Sequence, residues 1–465
     1  MNWTRKQVSI LAIVAITSFM GTFLISSVNI ALPSIERSFG MDAVRLSWVI
    51  TAFLLATAMF LLPVGRWGDL TGVRKLFKAG VIVFTLSSLI CGFAPSGSWL
   101  ILFRYIQGIG AAFTSTTGPA ILISAFPLKH RGRVLGISTS AVYLGLAFGP
   151  FVGGFLTQYL GWRSIFFVAS TFGLITTTVA FLFLGNDQPK AGVDRKMDLS
   201  GTLFYMAGLI LLVYGSSYIP DFQGWLMMGI GTTLLVVFWY IENRSARPVL
   251  ETRLFTRNRL FAFSNLAALI NYSATYAIVF LLSLYLQKIQ EMSPREAGII
   301  LVAQPVVMAL FSPIAGRLSD RIQPRYLASL GMTMCTIGLA VFSLLTERTP
   351  VWLIVIVLFW VGFGFAFFSS PNMNTIMSSV EKHQLGLASG SAATMRVVGQ
   401  ITSMTIATLF FAGFIGNQAI ETVPDNMFLT AMKYSFISFA VLSATGIYFS
   451  YNRGKIQREV ATNDI

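Results

Sequence analysis

The chain has 465 residues, 55% of them hydrophobic and only 11% charged, with 33 Lys and Arg against 18 Asp and Glu for a net charge of +15. Soluble domains carry about 25% charged residues, so this composition excludes a string of water-soluble domains. The basic residues sit in short clusters between apolar runs, not in one stripe, which speaks for a membrane surface and against nucleic acid as the partner.

A hydrocarbon core of about 30 Å needs about 20 apolar residues per helix. Apolar windows read against Gly, Pro and charge breakers predict six spans near 8–32, 46–64, 76–94, 98–123, 134–160 and 164–184. The first is too long for a signal-peptide core and is read as a helix. Two further spans fall near 199–219 and 224–241, and a final six near 263–286, 297–315, 326–345, 351–378, 386–414 and 430–450. The expected fold is an all-α membrane protein of fourteen transmembrane helices. Its predicted units are a six-helix bundle over 1–190, a linker with two extra helices over 191–255, and a second six-helix bundle over 256–465.

Placing both termini in the cytoplasm puts 24 of the 33 basic residues on the inner side. The outer side then has seven, Arg37, Arg45, Arg163, Lys288, Arg295, Arg348 and Lys433, the asymmetry that the positive-inside rule expects. Two arginines remain, Arg104 and Arg396, placed well inside helices. Every Asp and Glu falls in a loop or at a helix end. Cys91 and Cys335 lie within apolar runs and are read as packing residues, with no disulfide framework and no metal site.

The halves repeat. At a constant offset of 251, Gly65, Arg66, Asp69, Arg74 and Gly80 match Gly316, Arg317, Asp320, Arg325 and Gly331, and at 254, Gly132, Gly136 and Gly145 match Gly386, Gly390 and Gly399. Duplicated halves mark many transporters, whose site lies between the halves near the bilayer midplane.

With Gly65, Asp69, Gly72, Arg74 and Lys75 in the connection after the second span, the chain resembles the major facilitator superfamily. Asp320 and Arg325 are similar to the weaker second copy of that motif. Arg104, Gln107, Gly108 and Gly110 resemble the family's R-x-x-Q-G-x-G motif, and Gly145, Gly149, Pro150, Gly153 and Gly154 its antiporter signature. The Asn29 to Pro33 segment, Trp162-Arg163 and the inserted pair resemble the fourteen-helix drug:proton antiporter branch. Members of that branch commonly carry an Asp five residues before the Asn; here that position is Leu24.

The resemblance implies a multi-pass exporter in a prokaryotic cell membrane, with a small-molecule substrate, protons as the coupling ion and no cofactor. It implies a conformational latch of Gly65, Asp69, Gly72, Arg74, Asp320 and Arg325. For the glycine motif in the fifth span, close helix packing follows from the residues themselves, and the antiporter role from the resemblance. Arg104 either caps carbonyls structurally or lines a cavity. Arg396 lacks any helical carboxylate to neutralise it and is the leading functional candidate, with Asn271, Tyr272 and Gln400 near it. Ser26, Asn29, Gln107 and Asn372 either wet the cavity or satisfy neighbouring helices. His130 and His383 precede the fifth and thirteenth spans and are read as solvated. A phosphate-cradling G-K-[ST] loop and a hydrolytic triad are both absent from the sequence, so catalysis is not expected. Export of amphipathic compounds with proton antiport is the leading expectation. Export of an organic anion, zwitterion or anionic lipid through an arginine-lined cavity, without proton coupling, is the alternative. The sequence leaves the oligomeric state open, and a monomer is compatible with it.

Overall fold

The computed structural model describes residues 3–185, 199–245, 252–319, 321–381, 384–416 and 418–455, with the side chains at 69, 70, 128–133 and 386 outside that description. Among the described residues there is no strand. The helices are α1 Arg5–Phe39, α2 Ala43–Thr71, α3 Val73–Gly92, α4 Gly97–Ala125, α5 Leu128–Leu160, α6 Arg163–Phe183, α7 Leu199–Ser216, α8 Phe222–Arg244, α9 Thr252–Arg257, α10 Arg259–Thr275, α11 Ala277–Lys288, α12 Pro294–Leu301, α13 Ala303–Ser319, α14 Pro324–Phe342, α15 Val351–Ser378, α16 Leu385–Phe414 and α17 Asp425–Asn452.

Thirteen segments of the described chain are long and apolar enough to cross a membrane, α10–α11 and α12–α13 each counting as one. The remaining predicted span, the fourth, is α4: it has the length, 29 residues or about 43 Å, but falls short in apolarity because it carries Arg104, Gln107 and a run of Ser, Thr and Gly. It packs between α2 and α3. The crossings leave the molecule with two ends: one holds residues 3–4 and 453–455, and the opposite one, called the far end below, holds the connections at 40–42, 289–293 and 415–424.

Two predicted spans are broken. The ninth splits at Tyr276, where Ser403 Oγ of α16 accepts from the Ala277 N–H at 3.0 Å. The tenth splits at Val302, because Pro305 has no N–H to give to the Leu301 carbonyl. The connection predicted after the second span is helical almost throughout. Only Gly72 turns the chain, at φ 104°, a conformation that side-chain-bearing residues rarely adopt.

The repeat is also physical. α1 packs on α5 as α10 packs on α16, α3 on α4 as α14 on α15, and α2 on α4 as α13 on α15. Lipid is as apolar as a leucine, so such contacts are driven by close packing, which small residues permit. A Cβ on Gly80 would lie 3.0 Å from the Gly110 carbonyl, and one on Gly110 would lie 2.8 Å from the Gly80 carbonyl. The equivalent pair, Gly331 and Gly364, approach each other in the same way. Gly399 meets Leu269 and Tyr272 as Gly145 meets Phe19 and Thr22.

The inserted helices α7 and α8 pair through Gly208 against Gly231 and Gly215 against Gly224. α7 rests on both α2 and α16, so it lies along the seam where those helices meet. Tyr205 Oη donates to the Ala58 carbonyl at 3.0 Å, and Trp48 Nε1 to Ser217 Oγ at 2.8 Å. Few residues of α8 are buried. Trp99 and Trp352 are exposed near the far end and Tyr448 and Tyr451 near the other, as expected of aromatic belts at the two membrane surfaces.

Overpacking a tight interface costs about 1–3 kcal/mol. Gly110→Val is therefore expected to lower the thermal unfolding midpoint of the purified protein by several degrees. Gly390→Ala, whose Cβ meets nothing within 4 Å, is expected to leave the midpoint unchanged or raised.

Candidate functional site

The halves are held together at the far end. There Ser283 Oγ donates to the Asn29 carbonyl at 2.8 Å and Gln287 Nε2 to the Ile30 carbonyl at 3.0 Å, fixing α11 to α1. Ser47 and Thr408 share a hydrogen bond of 2.9 Å between α2 and α16, and the Ala43 N–H donates to the Gln418 carbonyl at 3.0 Å. The buried carboxylate of Glu36 accepts from the Glu421 N–H at 3.1 Å, and Arg37 pairs with Glu421 at 3.2 Å. Lys288, paired with Asp425 at 3.1 Å, steadies the same strap of chain from α11.

The glycine motif of α5 serves two interfaces at once. Gly145, Gly149 and Gly153 face α1: a Cβ on Gly149 would lie 2.5 Å from Ser26 Cβ, and one on Gly153 2.7 Å from Ser27 Cα. Gly154 and Pro150 face α12, where a Cβ on Gly154 would collide with the Pro294 carbonyl and one on Gly298 with the Pro150 carbonyl. The first set closes a seam within one half, and the second closes the far end between halves. Gly298 was not singled out by sequence reasoning; as one Gly in an apolar run it gives no local signal.

At mid-height the halves meet at a polar group. Tyr143 Oη of α5 and Ser369 Oγ of α15 share a hydrogen bond of 3.2 Å. Tyr272 of α10 reaches the same Ser369 hydroxyl and meets Phe365 edge-on, ring centroids 5.4 Å apart. Arg396 of α16 lies within electrostatic reach of Tyr272, is partly exposed, and has no hydrogen-bond or ion-pair partner among the described residues. A guanidinium at this depth costs at least about 2.5–3.5 kcal/mol unless it borders water or finds a partner, so this arginine faces a wet space or a ligand. Gln400, one turn further along α16, is also partly exposed. Sequence reasoning missed Tyr143 and Ser369, which are brought together from 226 positions apart and announce nothing locally.

Arg104 is fully buried, and two of its three nitrogens are hydrogen-bonded. Nε donates to the Val49 carbonyl at 3.0 Å, Nη1 bonds Gln107 Oε1, and the guanidinium lies 4.5 Å from the Phe53 ring centroid. Gln107 passes the chain on to Ser88 Oγ at 2.6 Å. Nη2 is unbonded. So is Tyr276 Oη, at the break between α10 and α11 in the opposite half and within electrostatic reach of Arg104.

Other predicted residues have various neighbours. Ser26 Oγ donates to the Leu146 carbonyl at 3.3 Å. Asn29 Nδ2 bonds the Ile25 carbonyl at 3.1 Å while its Oδ1 is unbonded. Asn271 is fully buried with neither amide atom bonded. Asn372 is held by Arg453 Nη1 at 2.6 Å and donates to the Ser264 carbonyl at 3.0 Å. Arg453, which also donates to the Pro324 carbonyl at 2.9 Å, is pushed down to about 9 by burial and stays charged at neutral pH. Of the expected latch, the Asp69 side chain and Asp320 lie outside the described residues, as do the side chains of His130 and His383. Gly65 lies against Thr116, Arg74 beside Gly185, and Arg325 stacks on Tyr326 and Tyr451 at 4.6 and 5.6 Å. Among the described residues, no group of three or more His, Cys, Asp or Glu could hold a metal ion.

Because Gly298 touches backbone only where the far end is shut, Gly298→Val penalises that state alone. An overpacking cost of about 1–3 kcal/mol shifts the two populations by about 5- to 150-fold. Nitroxide labels on Arg45→Cys and Thr422→Cys are expected to move apart in this variant; an unchanged distance distribution would count against a separable far-end contact.

The family model described as Major Facilitator Superfamily matches residues 11–404 and, in a second match, 264–460. The chain is 31% identical over 416 residues to the riboflavin transporter RibZ of Clostridioides difficile (strain 630), covering 88% of each chain. It is 30% identical over 395 residues to the multidrug resistance protein Stp of Mycobacterium tuberculosis (strain ATCC 25618 / H37Rv), covering 83% of this chain and 73% of Stp. Among solved structures, a bacterial homolog of the human lysosomal transporter Spinster matches with a TM-score of 0.69 at 16% identity, over 97% of this chain and 98% of that one. A D-xylose–proton symporter matches with a TM-score of 0.67 at 12% identity, over 96% and 97%. The chain belongs to the major facilitator superfamily, and its multidrug-resistance relatives are consistent with the drug:proton antiporter branch.

Proposed function

We propose that this protein exports small amphipathic, drug-like compounds from the cell by alternating access, in antiport with protons. The observation that carries the reading is the unpartnered Arg396 at mid-height beside the Tyr143–Ser369 contact, while the other described hydrogen bonds between the halves lie at the far end. Such a site is open toward the end with the termini. With both termini cytoplasmic, as the positive-inside rule expects, that is the inward-facing state. The multidrug resistance protein Stp and the riboflavin transporter RibZ as relatives support a small-molecule cargo.

In this reading Arg396, Tyr272 and Gln400 line the substrate space with Asn271 at the same height, and Arg104, Gln107 and Asn29 lie above it toward the far end. Ser26 and Asn372, whose hydrogen bonds are already taken, hold helices together. The return half of the cycle opens the far end and draws the terminal ends of α2 and α13 together, where Gly65, Asp69, Gly72 and Arg74, with Asp320 and Arg325, act as the latch. Coupling needs an acid that faces each side in turn, and helix-end carboxylates such as Glu36, Asp69 and Glu381 are the ones available.

A second reading is favoured by charge: among the described residues neither Arg104 nor Arg396 has a carboxylate partner, so an organic anion suits the space better than a lipophilic cation. Proteoliposomes with an imposed pH gradient decide. Gradient-driven export that Arg396→Ala or Asp69→Asn reduces at least tenfold supports the main reading. Anion transport indifferent to the gradient, lost in Arg396→Ala, supports the second. No movement of any compound would refute both.

A further inference from the structure

We infer that the mid-height site takes a planar aromatic ring system bearing an oxygen acceptor, the ring held by Tyr272, Phe365 and Tyr143 and the acceptor by Arg396. This rests on the transport reading above and names the class of its substrate.

The chemistry of the site is narrow. Arg396 brings a planar fork of donors without any acceptor of its own among the described residues. Its electrostatic neighbour is not a carboxylate but the phenol of Tyr272. Around it stand aromatic faces: Tyr272 and Phe365 meet edge to face at 74°, leaving ring surface of the partly exposed Tyr272 for an offset-stacked guest. Tyr143 approaches from the opposite half and is partly exposed as well.

Ser369 is the hinge of the argument. Its hydroxyl bonds Tyr143 Oη at 3.2 Å and lies near the Tyr272 phenol, and it has only one proton to donate. A flat ring entering between the two tyrosines displaces the Tyr143–Ser369 bond, the mid-height link between the halves, and replaces it with contacts to both. Occupancy of the site is thereby felt by both halves. A cation is disfavoured because Arg396 and, above it, Arg104 both present positive charge, with no carboxylate partner among the described residues. An aliphatic anion would satisfy Arg396 but leave the tyrosine faces unfilled.

The test uses the full-length protein in nanodiscs and equilibrium binding of 2-naphthalenesulfonate and flavin mononucleotide as aromatic anions, cyclohexanecarboxylate as a non-aromatic anion and ethidium as an aromatic cation. At least one aromatic anion is expected to bind at least tenfold more tightly than the other two probes. Arg396→Gln is expected to weaken it at least tenfold, Arg396→Lys less, and Tyr272→Ala to remove the preference over cyclohexanecarboxylate. Size-exclusion profiles and melting midpoints check that each variant is folded; if Arg396→Gln fails to fold, Arg396→Lys and Tyr143→Phe carry the test through weakened binding. Binding of neither aromatic anion, equal binding of ethidium, or binding unaffected by the foldable variants would overturn the inference. If aromatic anions fail to bind while another compound is transported, the substrate class falls and the transport reading stands. If they bind as expected but never cross a liposome membrane, the transport reading falls and the site assignment stands.

Discussion

Backbone touching backbone is the constraint on which this structure depends. Helices in lipid gain little by hiding apolar surface from one another, so they hold by van der Waals contact and the few hydrogen bonds that close approach allows. Here that approach occurs where Cβ atoms are missing: Gly80 on Gly110, Gly331 on Gly364, Gly145 on Phe19, Gly399 on Leu269. These contacts hold each half together as one packed body. The pair of Gly154 and Gly298 is different in kind, because it joins the two bodies and does so at the far end only. A contact of that sort is either made or broken, since a packed interface is bistable and not continuously deformable, which suits the alternating access proposed above.

The second constraint is charge without countercharge. Arg104 is absorbed into the first half by Val49, Gln107 and the Phe53 face, and Arg453 into the second by Asn372 and Pro324. Arg396 has no such cradle. It is placed beside Tyr272, near the Tyr143–Ser369 contact between the halves, at the level where the far-end contacts stop. The same desolvation cost that makes a buried arginine expensive makes a site that keeps one unpaired suited to a ligand that supplies the acceptor.

Much of this was legible in the sequence because its causes are local. Thirteen of the spans follow from apolar length, the α4 span from its length between breakers, and the duplication from the glycines and charges at fixed offsets. The polar character of α4 followed from Arg104 and Gln107 as well. The break at Val302 has a local cause in Pro305, but the one at Tyr276 depends on Ser403, which is 126 positions from Ala277. The sequence leaves Asn372 between wetting a cavity and satisfying a neighbour; its amide is taken by the Ser264 carbonyl and by an arginine just beyond the last helix. Tyr143, Ser369 and Gly298 are ordinary residues in apolar runs and acquire meaning only when folding sets them opposite a partner. The seam position of α7 was equally hidden, since it rests on Tyr205 and Trp48 reaching across helices.

The central claim is that the mid-height site opens to one side at a time, and side-specific labelling of Ser369→Cys by a membrane-impermeant thiol reagent tests it most directly. In the protein as described, labelling is expected from the side holding the termini and not from the far side. Adding Gly298→Val is expected to bring far-side labelling and suppress the other. Equal labelling from both sides in either protein, or a pattern that Gly298→Val leaves unchanged, would contradict the account.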